Sequence, residues 1–317
     1  MSAILAFDTS GELMHIGLRI GTQTWVREAA GGAKASAELL PAILALLERA
    51  GAALADLDAI AFGCGPGAFT GLRTACSVAQ GLALGAGKPV LAIDTLMAVA
   101  EDARKGEPQM RTWVAMDARM DQIYAAQYGY ERGQWTVLDA PTLTSVDELN
   151  RVWQGAPPQH LAGSALVAFA DRLECAPRPT ITSSAPRGGM SKVAEAHLLM
   201  SAPRPAEAGR PPRGSRKVAE PHFLESAPRP AEAGRPPWGS SKVAKPHLLV
   251  SGSAQHHAAA APRGAALLAL AMMQWEQGAV LDASAAVPRY VRDKVAHTVA
   301  ERAAAKRTAY ASGGPTA

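Results

Sequence analysis

The stretch LDAIAFGCGPGAFTGLRTACSVAQGLALGAGKPVLAI, residues 57–93, decides the fold of this chain. Near its two ends, 58–63 and 88–93 are short apolar runs that predict buried strands. Between them a glycine-rich turn leads into a predicted helix, which Thr70 can cap and which glycines stop near 85–87. A strand, a helix and a strand of this length predict a parallel crossover, and therefore an α/β fold.

The predicted helix after the turn carries no formal charge for 14 residues, between Arg73 and Lys88. A surface helix normally has one charged face, so this helix is expected to be covered on two sides, by its own sheet and by another protein. A second predicted helix, 36–50, has two apolar stripes and supports the same expectation. The predicted partner interface comprises ten residues on these helices: Leu39, Leu40, Ile43, Leu47, Thr70, Gly71, Leu72, Ala75, Ala79 and Leu82.

The chain on both sides of this crossover repeats one pattern. A strand, a meander of alternating strands and a helix occupy 3–50, and the same three features recur at 112–153. A further strand is predicted at 160–163 and a helix at 164–173. An internal duplication of this kind is typical of actin-like (hexokinase-type) ATPases. The sequence therefore predicts an actin-like α/β fold with duplicated mixed sheets flanked by helices in two subdomains.

The predicted domain boundaries follow the two copies and one segment of different composition. The N-terminal, partner-binding subdomain is predicted at 1–105, and the C-terminal subdomain at 106–175 together with 262–300. A Pro/Arg-rich insertion occupies 176–261, and a frayed tail follows at 301–317. The second subdomain is therefore expected to be interrupted in the sequence.

The insertion consists of repeats with a period of 25 residues. Two copies occupy 201–225 and 226–250, and a shortened copy covers 184–200. Residues 176–262 hold 14 of the 23 prolines and a net charge of +7, whereas the remaining residues have a net charge of −3. Prolines at this density interrupt helices and strands, so disorder is predicted, with a repeat solenoid as the alternative. Because the positive charge lies here, a basic nucleic-acid surface is not predicted on the folded part.

Other features of the sequence exclude several classes of protein. No apolar stretch reaches the length of about 18 uncharged residues that a membrane helix needs, and the apolar N-terminus lacks the basic start of a signal peptide. The three cysteines, Cys64, Cys76 and Cys175, form no CxxC pair, so neither a disulfide framework nor a zinc knuckle is predicted. A cytoplasmic protein without a membrane partner is expected.

Two segments are candidates for contact with a phosphate group. Asp8, Thr9 and Ser10 follow the first strand, where actin-like ATPases hold a phosphate and Mg²⁺. Gly65 and Gly67 lie in the turn before the uncharged helix, where backbone amides can bind an anion. These five residues are the predicted phosphate or nucleotide contact, with an ordinary tight turn as the alternative at both places. The turn lacks the GK[ST] sequence of a Walker A loop.

The sequence contains no recognisable catalytic or metal-binding motif. The eight histidines form no HxxxH or HxxH motif, and His256 and His257 are interpreted as part of a solvated loop. Cys64 is interpreted as a small buried residue because no base is placed beside it, and no GxSxG elbow is present. Neither a catalytic residue nor a metal ligand is therefore predicted in this chain.

Four segments in order carry a resemblance to a known family: ILAFDTS, LDAIAFGCGPGAFTGLRTACSVAQGLALGAGKPVLAIDTLMAVA, MDARMDQIYAAQY and YVRDKVAHT. They closely resemble the TsaB (YeaZ) family, a bacterial subunit of the machinery that makes threonylcarbamoyladenosine at position 37 of tRNAs. The resemblance covers about 1–175 and 262–300, and the insertion is not part of the family pattern. It implies docking on the catalytic subunit TsaD, association with the small ATPase TsaE, and a homodimer when the chain is alone. It also implies that tRNA is reached only through the complex.

The resemblance further implies that this subunit is not the catalyst. The catalytic relative has an HxxxH metal motif directly after the strand that corresponds to 89–93, and its two histidines fall here on Thr95 and Val99. The histidine of an HSE sequence in many relatives is absent too, because 35–37 reads ASA. The family pairs through the two helices described above, and ATP and a metal are expected to belong to partner subunits. The alternative is an enzyme in its own right, an actin-like ATPase or kinase, or a glycoprotease-like peptidase.

Overall fold

The computed structural model describes residues 2–174 and 254–292. In this part of the chain the strands form two mixed sheets of five. The strands of the first sheet are β1 Ala3–Asp8, β2 Leu13–Ile20, β3 Gln23–Ala30, β4 Ala59–Gly65 and β5 Val90–Asp94. Those of the second sheet are β6 Met110–Asp117, β7 Ile123–Glu131, β8 Gln134–Thr144, β9 His160–Ala162 and β10 Gln255–His257.

Both sheets have the same strand order. The first runs β3-β2-β1-β4-β5, and the second runs β8-β7-β6-β9-β10. In each sheet the first three strands of the copy are antiparallel neighbours, and the last two continue the sheet in parallel. The predicted duplication and the predicted actin-like α/β fold are confirmed.

Each copy also carries three α-helices at matching points of its chain. They are α1 Ala35–Ala50, α2 Phe69–Ala86 and α3 Thr95–Arg104 in the first copy, and α4 Val146–Gly155, α5 Ala165–Ala168 and α6 Gly264–Glu276 in the second. Short 3₁₀ helices lie at Gly32–Lys34, Leu54–Asp56 and Ala283–Ala285. None of these described helices is both long and apolar enough to cross a membrane.

The first two helices of each copy cover the outer face of its own sheet. Residues of α1 and α2 pack with Phe7 of β1 and Phe62 of β4 in one apolar cluster. On the other side of the molecule, α4 and α5 pack with Trp113 of β6 and Leu161 of β9. Every one of these large side chains is buried, so each sheet has a complete outer core.

The third helix of each copy lies between the sheets and packs on the sheet of the other copy. The helix α6 contacts β1 and β2, while α3 contacts β6, and the two helices contact each other. Close approach depends on a glycine pair, because a Cβ atom at Gly17 would lie 2.6 Å from the Gly264 carbonyl oxygen. The predicted second subdomain, 106–175 plus 262–300, therefore needs correction, since α6 packs on the first sheet.

Three predicted boundaries differ from the structure. Thr70 does not cap α2, because the helix begins at Phe69 and Ala68 occupies the N-cap position. The predicted helix 164–173 is reduced to the single turn of α5. The strand β10 lies inside the predicted insertion 176–261, so the fold resumes by Ala254. Residues 176–253 of the insertion and the tail 301–317 lie outside the described residues.

Candidate functional site

The glycine-rich turn between β4 and α2 packs directly against the turn that follows β1. A Cβ atom at Gly71 would lie 1.9 Å from the Thr9 carbonyl oxygen, and one at Gly67 would lie 2.4 Å from the Ser10 Cβ atom. The Thr9 hydroxyl donates to the Gly71 carbonyl at 2.7 Å, and the Ala68 amide donates to the Ser10 carbonyl at 2.9 Å. Close backbone contact therefore requires these glycines, and it brings the two predicted phosphate segments together.

Asp8, at the end of β1, is fully buried. Its Oδ1 accepts hydrogen bonds from the amide and the hydroxyl of Ser10 at 2.7 and 2.6 Å. Its Oδ2 accepts from the Thr95 hydroxyl at 2.7 Å, and that hydroxyl accepts from the Gly65 amide at 3.1 Å. Both carboxylate oxygens thus have partners inside the chain, which favours the tight-turn alternative over a metal-linked phosphate site. A nucleotide contact at these residues stays a prediction.

Thr95 and Val99 are the positions to which the resemblance assigns the paired histidines of the catalytic relatives. Both lie in the first turns of α3, directly after β5. Thr95 is 2% exposed and carries the hydrogen bonds to Asp8 and Gly65, while Val99 is fully buried between the sheets. Neither side chain offers a nitrogen ligand. In the described ranges, no group of three or more His, Cys, Asp and Glu side chains is arranged to hold a metal ion.

A second polar network joins three distant parts of the chain at Asp94. Its Oδ1 caps α3 by accepting from the Leu96 and Met97 amides at 2.9 and 3.2 Å, and it accepts from the Tyr128 hydroxyl at 3.0 Å. Its Oδ2 contacts the Arg289 guanidinium at 2.8 Å. We call the trio Asp94, Tyr128 and Arg289 the carboxylate clasp, because it connects β5, β7 and the segment after α6.

Burial sets the protonation behaviour of the carboxylate clasp. It raises the pKa of Asp94, although the Arg289 guanidinium and the donated hydrogen bonds act in the opposite direction. Burial and the neighbouring Asp94 carboxylate together raise the pKa of Tyr128 well above its usual range. Sequence reasoning missed this network, since its members are far apart in the chain. The one available signal was the capping position of Asp94 between a strand and a helix.

A cleft of about 760 Å³ lies beside these networks, between the two copies. Its walls include Phe69 and Leu72 of α2 on one side and Met116 and Tyr124 of the second sheet on the other. Tyr290, from the segment after α6, also lines it, and its ring lies 5.1 Å from that of Phe69. The walls are mainly apolar, and the buried carboxylate next to the cleft is already satisfied by hydrogen bonds.

The remaining candidate nucleophile and histidines have structural explanations. Cys64 is buried as predicted, and burial raises the pKa of its thiol to about 12, so its reactive thiolate form is suppressed at neutral pH. The prediction of a solvated loop for His256 and His257 is wrong, because both lie in β10. His160 Nδ1 of β9 lies 3.4 Å from His257 Nε2, so the two rings connect adjacent strands. Burial lowers the pKa of both His256 and His257.

Most of the residues predicted for the partner interface point into the chain's own core. Only Leu40 and Thr70 of the ten are exposed, and Leu82 is partly exposed. Gly71, Ala75 and Ala79 of α2 allow this helix to approach the β1 turn and its own sheet closely. The seven buried positions are Leu39, Ile43, Leu47, Gly71, Leu72, Ala75 and Ala79. These seven positions are occupied by contacts within the chain, and a partner contact at them stays a prediction.

The outer sides of the same two helices nevertheless form an apolar surface. Leu40 and Leu44 of α1 are 41% and 51% exposed, and Leu84 of α2 is 80% exposed. Ser77 and Gly81 lie on the outer side of α2 and are exposed as well. We call these five residues the α1–α2 face. Large exposed leucines on adjoining helices are typical of a surface that binds another protein.

Two sheets of identical strand order, with third helices that cross between them and a cleft beside them, define a protein of the actin-like class. A family model described as "TsaD: tRNA N6-adenosine threonylcarbamoyltransferase" matches residues 29–193, just over half of the chain. Several curated relatives bear the name tRNA threonylcarbamoyladenosine biosynthesis protein TsaB. The one from Escherichia coli (strain K12) is 43% identical over 98 residues, which are 31% of this chain and 42% of that protein.

The second relative, from Haemophilus influenzae, is 39% identical over 130 residues, or 41% of this chain and 55% of that protein. The chain thus spans about half the length of these curated relatives. Among solved structures, YeaZ from Pseudomonas aeruginosa aligns with a TM-score of 0.61 and 25% identity, covering 92% of this chain and 100% of that one. The chain belongs to the threonylcarbamoyltransferase family that this model describes, and within it to the TsaB (YeaZ) group.

Proposed function

We propose that this chain is the non-catalytic, activating subunit of the machinery that makes threonylcarbamoyladenosine at position 37 of tRNAs, and that it acts by docking on the catalytic subunit TsaD. The observation that carries the proposal is the start of α3. Where the catalytic relatives have paired metal-binding histidines, this chain has Thr95 and Val99, which are buried and have structural contacts. Loss of both imidazoles removes the ligands that such a metal needs at this position.

The α1–α2 face supports the docking part of the proposal. Its leucines expose apolar surface that gains free energy when a partner covers it. Gly81 and Ser77 are small, so the backbone of a partner helix can approach α2 closely there. The family resemblance assigns pairing to the same two helices, and the exposed residues of these helices lie on their outer sides.

The other expectations about partners and cofactors form part of the same proposal. ATP and a metal belong to the partner subunits, the TsaE-type ATPase joins the assembly, and tRNA is reached only through the complex. The chain alone pairs with itself through the α1–α2 face. Because tRNAs are modified in the cytoplasm, the protein acts there. Both carboxylate oxygens of Asp8 accept hydrogen bonds from within the chain, which argues against an ATPase or kinase reaction in this chain on its own.

Reconstitution with the cognate TsaD tests the proposal. The isolated chain is expected to form no modified nucleoside, and TsaD with its other partners is expected to gain activity when the chain is added. Replacing Leu84 with Glu should weaken pairing about tenfold or more while circular dichroism stays unchanged, since a charge would enter a surface that becomes dry.

Val152→Glu is the matched control, because Val152 is 45% exposed on α4, on the outer side of the second sheet. This variant should pair and activate as the wild type does. Modified nucleoside made by the isolated chain, or one metal ion per chain with turnover in the absence of TsaD, would instead establish an enzyme in its own right.

A further inference from the structure

The residues after α6 form a segment that contains the 3₁₀ helix Ala283–Ala285 and runs along the first copy. We call residues 279–292 the C-terminal strap. Leu281 pairs with Val90 of β5 through two backbone hydrogen bonds of 2.9 Å. Further along, the Ala286 carbonyl accepts from Cys76 Sγ at 3.2 Å and from Gln80 Nε2 at 2.9 Å. The strap is therefore fixed against α2 along the second half of that helix.

The strap and α2 form an open groove of about 860 Å³ between them. Leu84 lies on its helix side, and Val280 and Leu281, 41% and 40% exposed, lie on its strap side. Lys88 and Asp282 also line it, which gives an apolar groove with polar residues beside it, the usual arrangement of a protein interface. Ser77, Gly81 and Leu84 belong to both surfaces, so the groove adjoins the α2 part of the α1–α2 face.

The size of the α1–α2 face indicates that it needs such an extension. The α1–α2 face comprises five residues, whereas an interface of standard size involves about 20–30 residues on each side. A stable interface of standard size covers about 800 Å² on each partner. The strap adds surface on the open side of α2, where Val287 is also 66% exposed.

We propose that the docking surface for the catalytic transferase subunit extends from the α1–α2 face onto the C-terminal strap, and that an apolar side chain of the transferase fills the groove beside Leu84. This inference rests on the proposed function, and it adds a contact from the part of the chain that follows the insertion. The transferase is the occupant because the groove shares residues of α2 with the α1–α2 face, which the proposed function gives to the transferase. A second copy of this chain is a separate outcome of the test.

Two charge substitutions on the strap test the extension with the full-length chain. In Val280→Glu and Val287→Glu the altered side chains are exposed, so the fold is expected to survive, as circular dichroism and the melting temperature would verify. Each variant should weaken binding to TsaD about tenfold or more in calorimetry, because the partner would desolvate an unpaired carboxylate. Val26→Glu is the control, since Val26 is 53% exposed on β3 and should bind as the wild type does.

Hydrogen exchange gives a second measurement that needs no variant. The amides of residues 279–288 should exchange more slowly in the complex with TsaD than in the isolated chain. Wild-type affinity in both strap variants, with unchanged exchange, would overturn the extension and leave the proposed function intact. Failure of the wild-type chain to bind TsaD at all would overturn the proposed function. Loss of self-association alone, with TsaD binding unchanged, would assign the groove to a second copy and overturn this inference.

Discussion

The two copies of the fold differ most in the crossover between their fourth and fifth strands. In the first copy, β4 and β5 are joined through α2, which is 18 residues long and contributes to the core on its inner side. In the second copy, β9 is followed by α5, a single turn of four residues, and the chain returns to β10 only at Gln255. The same topological position thus holds a core helix in one copy and accepts the insertion in the other.

The ends of the two crossovers are also fixed differently. At the end of β5 the carboxylate clasp connects the first sheet to β7 and to the C-terminal strap. At β10 the rings of His160 and His257 meet, and just after this strand Asp102 of α3 accepts from the Ala261 amide and forms an ion pair with Arg263. The comparison teaches that the first crossover is held along its length by the core packing of α2, while the described part of the second is held at its two ends, near α5 and β10.

The strongest test of this comparison is a charge inside the first crossover. Ala79 is fully buried between α2 and its sheet, so Ala79→Glu should prevent stable folding of the protein rather than weaken pairing alone. A buried, unpaired carboxylate costs several kcal/mol, which is a large part of the stability of a typical domain. Circular dichroism and thermal melting measure the effect. Gly81→Glu, on the exposed side of the same helix, is the control and should keep its melting temperature within a few degrees.

Opening the carboxylate clasp should have the second largest effect. Arg289→Met leaves Asp94 buried without its cationic partner and should lower the free energy of unfolding by about 2 kcal/mol, less than for a fully buried pair because Arg289 is partly exposed. Urea titration measures the loss. Arg132→Met, at a side chain that is 91% exposed, should cost almost nothing. Equal stability of the two variants would mean that the clasp does not fix the end of the first crossover.

These tests also mark how far the sequence could be interpreted. Glycines stopped α1 and α2 where predicted, since Gly51 and Gly87 adopt the left-handed conformation that ends a helix. The duplication and the parallel crossover from β4 to β5 followed from the pattern of apolar runs. The orientation of α2 did not, because an uncharged helix has no polar face to show which side meets its sheet. The carboxylate clasp was beyond prediction, since Asp94, Tyr128 and Arg289 meet only through the tertiary fold.

A pH titration should separate the contact at β10 from the clasp. Because burial lowers the folded pKa of His257, that residue contributes stability above its unfolded pKa near 6.5, and this contribution is lost as the pH falls through the folded value. His257→Gln removes the fall in stability that protonation of this ring causes at acidic pH. The unfolding free energies of wild type and variant should therefore differ most at neutral pH and converge towards about pH 5. Unfolding free energies across this range measure the effect. If the two curves of unfolding free energy against pH run parallel, His257 does not contribute the expected pH dependence of stability.

The smallest expected effect comes from shortening the insertion itself, whose residues up to 253 lie outside the described part of the chain. Its repeats contain many prolines and few large apolar side chains, so the sequence predicts that one 25-residue copy adds chain length rather than packing. Deleting 226–250 should therefore change the free energy of unfolding by only a few tenths of a kcal/mol, the change in loop-closure entropy for such a shortening, and should leave TsaD binding unchanged. Deleting 201–250 should give a change of the same sign and still below about 1 kcal/mol.

Both deletions keep α5 and β10 whole, so they alter the second crossover without touching the elements that hold its ends. A stability loss of more than about 1 kcal/mol per copy, or weaker binding, would mean that the repeats pack or dock and that both crossovers carry structure.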